Sequence, residues 1–167
     1  MSRETLQEQA KSKGGRKREK PLALRKIEKF LSKSKTYLGA IYLSSFEKLL
    51  VKAKKYSLVV HCDNHWFCIY STDKTFEIFD PLGFLQKSKC FNDKFLSFIR
   101  SQLGRKILYA NPKIQSDSSF SCGYFVSFFV LSRDIGHSFN EIISKFTTNY
   151  RKNQHLVKTF LSNLLRK

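Results

Sequence analysis

Three short segments rich in β-branched and aromatic residues, divided by brief turn signals, constrain this chain most. Residues 57–62 (Ser-Leu-Val-Val-His-Cys) read as a strand, residues 65–70 as the next and residues 75–79 as a third. Asp63-Asn64 and residues 71–74 supply the turns. Connections this short make an antiparallel meander, which Pro81 and Gly83 end. A sheet must be covered, and the rest of the chain offers helices for that. Leu22, Leu24, Ile27, Phe30 and Leu31 recur at helical spacing to about Lys35, behind a Pro21 suited to a helix start. A short helix or turn is expected at 46–51, and a helix at 93–103 that Gly104 can stop. Residues 106–110 predict another strand, which Pro112 keeps from continuing. Residues 122–131 are so uniformly apolar that they predict a buried helix, and amphipathic helices follow at 139–146 and 153–165. The expectation is an α+β fold, a central mixed or antiparallel sheet packed by helices.

Composition sets the limits around that pattern. A chain of 167 residues suits one domain, and 41% hydrophobic residues with 16 Phe can fill its core. The domain is expected over 22–167, preceded by a flexible basic tail over 1–21 that carries Gly-Arg-Lys-Arg-Glu-Lys at 15–20. No apolar stretch approaches the roughly 20 residues of a membrane span, and no apolar segment follows the basic N-terminus as in a secretory signal. The 31 Lys and Arg against 13 Asp and Glu leave a net charge of +18, which predicts a polyanionic neighbour such as nucleic acid. Cys62, Cys68, Cys90 and Cys122 contain no Cys-x-x-Cys pair, so they read as free thiols and no metal site is expected.

Chemistry-bearing residues concentrate in three places: Asn64-His65-Trp66, Phe79-Asp80-Pro81-Leu82-Gly83-Phe84, and residues 115–123. Loops on a rigid scaffold are where catalytic groups tend to sit. Cys122 lies between a Ser-rich loop and the apolar helix, so its sulfur would sit at a helix N-terminus, whose partial positive charge favours a thiolate. His65 can take the thiol proton, and Asp80 can hold the imidazole by its other nitrogen. Gln115 can aim an amide N–H at a developing oxyanion, alongside the Cys122 backbone N–H. Singly, each residue has a plainer reading. The cysteine is then a small buried hydrophobe, His65-Trp66 a core pair, Phe-Asp-Pro a turn and Gln115 a surface polar residue.

Taken in order, the set resembles the adenovirus endopeptidase (adenain) family and, more distantly, the SUMO-deconjugating cysteine proteases. In that family a His-Trp pair opens a strand, a Phe-Glu/Asp-Pro-x-Gly-Phe segment follows, and a Gln precedes an x-Cys-Gly by seven positions. Here His65-Trp66, residues 79–84, and Gln115 with Ser121-Cys122-Gly123-Tyr124-Phe125 match. Tyr37-Leu38-Gly39, followed by Phe46, looks like the family's N-terminal Phe-Leu-Gly turn. The match spans residues 37–129.

The resemblance implies an adenain-like fold, a rearranged version of papain's, with Cys122 as nucleophile and His65 as general base and then acid. Asp80 would be the orienting carboxylate, where many relatives carry Glu, and Gln115 the oxyanion-hole amide. It implies a viral endopeptidase that cleaves capsid or core precursors during virion maturation, after Gly-Gly or Gly-x, through a thioester acyl-enzyme. It further implies a monomer, no metal, no membrane, DNA as an activating polyanion, and a place in the host nucleus and the virion. The family's activating peptide is tethered to a cysteine eleven residues before the Gln. That position is Gly104 here and residues 104–110 contain no cysteine, which leaves room only for a noncovalent activator. Two alternatives stand beside this reading: a deconjugase acting on ubiquitin-like proteins, and a non-enzymatic basic nucleic-acid-binding protein with an inert cysteine.

Overall fold

One five-stranded sheet lies between helices on both faces, and its strand order follows the chain: β1 (Tyr37–Tyr42), β2 (Tyr56–Cys62), β3 (His65–Ser71), β4 (Thr75–Phe79) and β5 (Lys106–Tyr109). The computed structural model describes residues 24–44, 53–83, 93–101, 104–109 and 112–166. The three central strands form the antiparallel meander that the turn signals require, with Cys62 paired to His65 and Cys68 to Phe79. Asp63 takes φ +53 in the first turn, a conformation that Asp tolerates better than most residues. The edges are parallel, β1 to β2 and β5 to β4, so the sheet is mixed. The helices are α1 (Leu24–Leu31), α2 (Asp93–Arg100), α3 (Cys122–Asp134), α4 (Phe139–Ile143) and α5 (Tyr150–Leu165). The fold is therefore α+β with helices packed on a mixed sheet, as expected. The basic tail, the element expected at 46–51, Phe84 and Cys90 lie outside the described residues.

Two local expectations are corrected. Tyr37-Leu38-Gly39 begins a strand and is not a turn. Gly39, at φ +151, sits where the register against β2 shifts, and a side chain is poorly tolerated at that angle. Nor are all four cysteines free. Cys62 is disulfide-bonded, with its partner outside the described residues, whereas Cys68 and Cys122 are free and buried.

Strand alternation divides the core. Trp66, Cys68 and Tyr70 of β3 pack with Val59, Phe79 and the apolar residues of α1, α3, α4 and α5. Phe67 and Ile69 pack on the opposite face with Leu58, Val60, Phe76, Ile78 and the α2 residues Phe95 and Ile99. α3 is buried along almost its whole length because it meets β3, α1, α4 and α5 on different sides, which its all-round apolar sequence permits. Phe129 of α3 stacks on Phe79 of β4, ring centroids 4.4 Å apart. Each such buried Phe contributes on the order of 2–3 kcal/mol.

Polar contacts fix the far end of α3. The Arg133 guanidinium grips the fully buried Glu77 through two bonds, Nε to Oε2 at 2.7 Å and Nη2 to Oε1 at 2.8 Å. Asp134 accepts from the Ser34 and Thr36 hydroxyls, the Lys35 N–H and the Tyr70 hydroxyl. With its C-terminal turn locked to β3, β4 and the approach to β1, α3 holds its first residue, Cys122, at a defined place.

Candidate active site

The antiparallel register brings the start of β3 and the end of β4 to the same end of the sheet. Cys68 opposes Phe79, so His65 and Asp80 emerge side by side. The two touch: His65 Nε2 lies 2.7 Å from Asp80 Oδ1. Asp80 is 2% exposed and the same oxygen accepts the Leu82 N–H at 2.8 Å, so its orientation is set by the turn that follows it. That turn closes through the Gly83 N–H on the Asp80 carbonyl at 3.0 Å, with Gly83 leaving at φ +89.

A carboxylate can only accept, so Nε2 carries a hydrogen and the proton that the ring gains or gives up sits on the other nitrogen, Nδ1. Cys122 is the second side chain close enough to His65 to act on its proton affinity. The imidazole is thus bonded to a carboxylate and influenced by a thiol. Burial, the largest single influence on the ring, disfavours its charge. The hydrogen bonds and negative charges of Asp80 and Cys122 together outweigh it and raise His65 to about 9. His61, which packs on Trp66 with centroids 4.4 Å apart, behaves oppositely. Burial lowers its pKa, and the nearby Asp63 only partly offsets that.

Cys122 is the first residue of α3, and Ser121 before it makes no side-chain cap to the helix. The N–H groups of a first turn have no intrahelical acceptor, so Cys122 sits at the positive end of the helix dipole. The Ser121 hydroxyl is instead held by the Gln154 amide of α5. Gln115 is buried and reaches the site by a two-sided clamp. Its own N–H and that of Ile114 both donate to the Pro81 carbonyl, at 3.1 and 3.0 Å. Its side-chain Nε2 donates to the Ser119 carbonyl at 2.6 Å. A primary amide has two N–H groups, so one remains for an oxyanion. Gln115 Oε1 is buried without a partner among the described residues.

All four expected site residues lie in this one region; a direct bond joins His65 to Asp80, and Cys122 is near enough to act on the same ring. Gln115 is tied to the residue after Asp80 and lines a cavity of about 680 Å³ together with Ser121, one residue from Cys122. Two supporting residues carried no signal in the sequence, Asn153, which holds the Ile114 carbonyl at 2.9 Å, and Gln154, whereas Pro81, whose carbonyl serves in the clamp, belongs to the Phe-Asp-Pro segment already singled out. Among the described residues, no group of three or more His, Cys, Asp or Glu side chains could hold a metal ion, and no helix is long and apolar enough to cross a membrane.

No known protein-family profile and no curated protein matches the chain. Solved structures with a related course of the backbone include the central domain of an uncharacterised Legionella pneumophila protein. That domain is 15% identical, with a TM-score of 0.45 over 78% of this chain and 88% of that one. The C-terminal protease domain of Ulp1, in complex with the yeast SUMO orthologue, is 13% identical, with a TM-score of 0.41 over 94% and 93% of the two chains. Ulp1 with its catalytic cysteine oxidised to a sulfinic acid is 14% identical, with a TM-score of 0.40 over 83% and 76%.

Proposed function

We propose that this chain is a cysteine endopeptidase. The observation that carries the reading is the His65 imidazole held at 2.7 Å by the buried Asp80, with Cys122 near enough to act on the same ring. In the reaction, His65 takes the Cys122 proton and the sulfur attacks the scissile carbonyl carbon. The carbonyl oxygen becomes an oxyanion between the Cys122 N–H and the Gln115 amide. Collapse breaks the C–N bond as His65 returns its proton to the departing amine, leaving a thioester. A water molecule, deprotonated by His65, then hydrolyses the thioester and frees the thiol.

The motif order of the adenain family supports a Gly-Gly or Gly-x substrate in capsid or core precursors, with work in the host nucleus and the virion. The net charge of +18 supports nucleic acid as a companion whose grip weakens steeply with salt. An isopeptide after Gly-Gly presents the same reacting atoms, so a ubiquitin-like conjugate is the alternative substrate.

The test is incubation of the full chain with Gly-Gly peptides, with and without duplex DNA, against Cys122→Ala. Cleavage is expected from the native chain alone, and cleavage surviving in Cys122→Ala sinks the reading. Labelling of Cys122 by a ubiquitin or SUMO C-terminal electrophile, without peptide cleavage, would move it to deconjugation.

A further inference from the structure

The cavity beside Gln115 has a chemical character that the peptidase reading leaves unused. Its wall mixes serine hydroxyls, the Gln154 amide and the two tyrosines Tyr124 and Tyr150 with the apolar rings of Phe120 and Phe125. Two cations, Arg151 and Lys158, complete it, and no Asp or Glu lines it. Neither cation has a carboxylate within ion-pair distance among the described residues. Their helix, α5, contains no acidic residue. A third cation stands beside them: Lys26 Nζ donates to the Tyr124 hydroxyl and lies 4.9 Å from that ring's centroid, while Lys158 lies 5.4 Å from it. Tyr124 thus spaces two ammonium groups around the cavity. The nearest acidic residue in the loop, Asp117, is already paired with Lys113.

We infer that this cavity is a specificity pocket for an acidic side chain, Asp or Glu, flanking the scissile bond of the peptide substrate. It deepens the peptidase reading and rests on it for the position of the scissile bond. Two features favour a peptide carboxylate over a nucleic-acid phosphate. The cavity is concave and is lined by Gln115 and Ser121 beside the reacting centre, whereas a duplex backbone needs an extended track. Gln115 also holds a buried acceptor without a partner, Oε1. A peptide brings backbone N–H donors together with its carboxylate. A phosphodiester backbone brings acceptors alone.

The test separates binding from cleavage. The full-length Cys122→Ala protein is titrated calorimetrically with Gly-Gly peptides carrying Glu or Gln at each flanking position in turn. At low salt the Glu peptide of one flank should bind about tenfold more tightly than its Gln counterpart, the size expected of two exposed to half-buried ion pairs. The preference should shrink toward unity at high salt, and in Arg151→Gln/Lys158→Gln, whose fold is checked by thermal unfolding. Equal binding of Glu and Gln peptides, or no measurable binding of either, overturns the inference. So does a preference that persists in the double variant. Duplex DNA whose binding depends on Arg151 and Lys158, with no Glu preference in peptides, gives the pocket to phosphate and overturns it as well. A Glu preference lost in the double variant, with no cleavage by the native chain, keeps the pocket and rejects the peptidase reading.

Discussion

Asn153 Nδ2 on α5 donates at 2.9 Å to the carbonyl of Ile114, 39 positions away in the chain and one residue before Gln115, the amide proposed for the oxyanion. The same amide donates to the Thr147 carbonyl at 2.7 Å, and its oxygen accepts the Thr147 N–H at 2.9 Å. Asn153 is 1% exposed, so water cannot replace these bonds. Asn153→Ala is expected to cost about 2–3 kcal/mol, the penalty for leaving such buried groups unsatisfied. It should also lower kcat more than it raises KM, because Ile114, the residue before Gln115, loses the anchor on its carbonyl. Urea unfolding and peptide kinetics on the same variant check both. An unchanged kcat would show that the Pro81 carbonyl alone places Gln115.

His65 sets the pH behaviour. Its proton is held to about pH 9 in the folded chain, against about 6.5 for an unperturbed imidazole. A group whose folded pKa is raised stabilises the fold fully below the unfolded value and loses that contribution as pH climbs. The window here runs from about 6.5 to about 9. Activity that needs the imidazolium as proton donor should fall along an alkaline limb near the same upper value. Asp80→Asn removes the carboxylate and leaves burial to dominate, so the midpoint should drop, and Cys122→Ala should lower it by a smaller step. NMR titration of the His65 ring in the three proteins reads this directly. A native midpoint near 6.5 would mean that Asp80 does not govern the ring.

The parts written locally were the parts legible in the sequence. His65, Asp80, Gln115 and Cys122 each sit beside a strand end, a turn or a helix start, and short-range patterns encode such places. The three-stranded meander was readable for the same reason: two short turns fix its pairing. β1 was not, because it is a parallel edge strand whose partner, β2, lies beyond a long intervening segment. Glu77 with Arg133, 56 positions apart, and Asn153 with Ile114 were equally invisible. An Asn inside a polar helix and a Glu inside an apolar strand look like ordinary surface residues until the fold buries them. The Cys62 disulfide was hidden too, since spacing without a close pair does not say which thiols meet.

The Glu77–Arg133 pair makes a separate prediction about stability. Glu77 is fully buried and also accepts from the Thr75 hydroxyl at 2.8 Å, so removing its cation leaves an uncompensated charge between β4 and α3. Arg133→Met should destabilise the chain by about 3–5 kcal/mol, whereas Glu77→Leu combined with Arg133→Met should recover most of that loss. Thermal and chemical unfolding of the single and double variants form the cycle. Additive losses would deny that the two residues act as a unit.

Thiol chemistry gives the sharpest contrast within one molecule. Cys68 and Cys122 are both free and both buried, but their surroundings differ in sign. Burial pushes the Cys68 thiol well above its ordinary range, and the negative charges of Glu77 and Asp80 push it further. Cys122 instead meets the His65 ring and the N-terminus of α3. Iodoacetamide at neutral pH, followed by peptide mass mapping, should therefore modify Cys122 at least about tenfold faster than Cys68, which stays protected until the chain unfolds. His65→Ala should remove most of that advantage without exposing Cys68. Equal rates at the two cysteines in the native chain would mean that His65 does not activate the sulfur, and that Cys122 is one more small buried side chain.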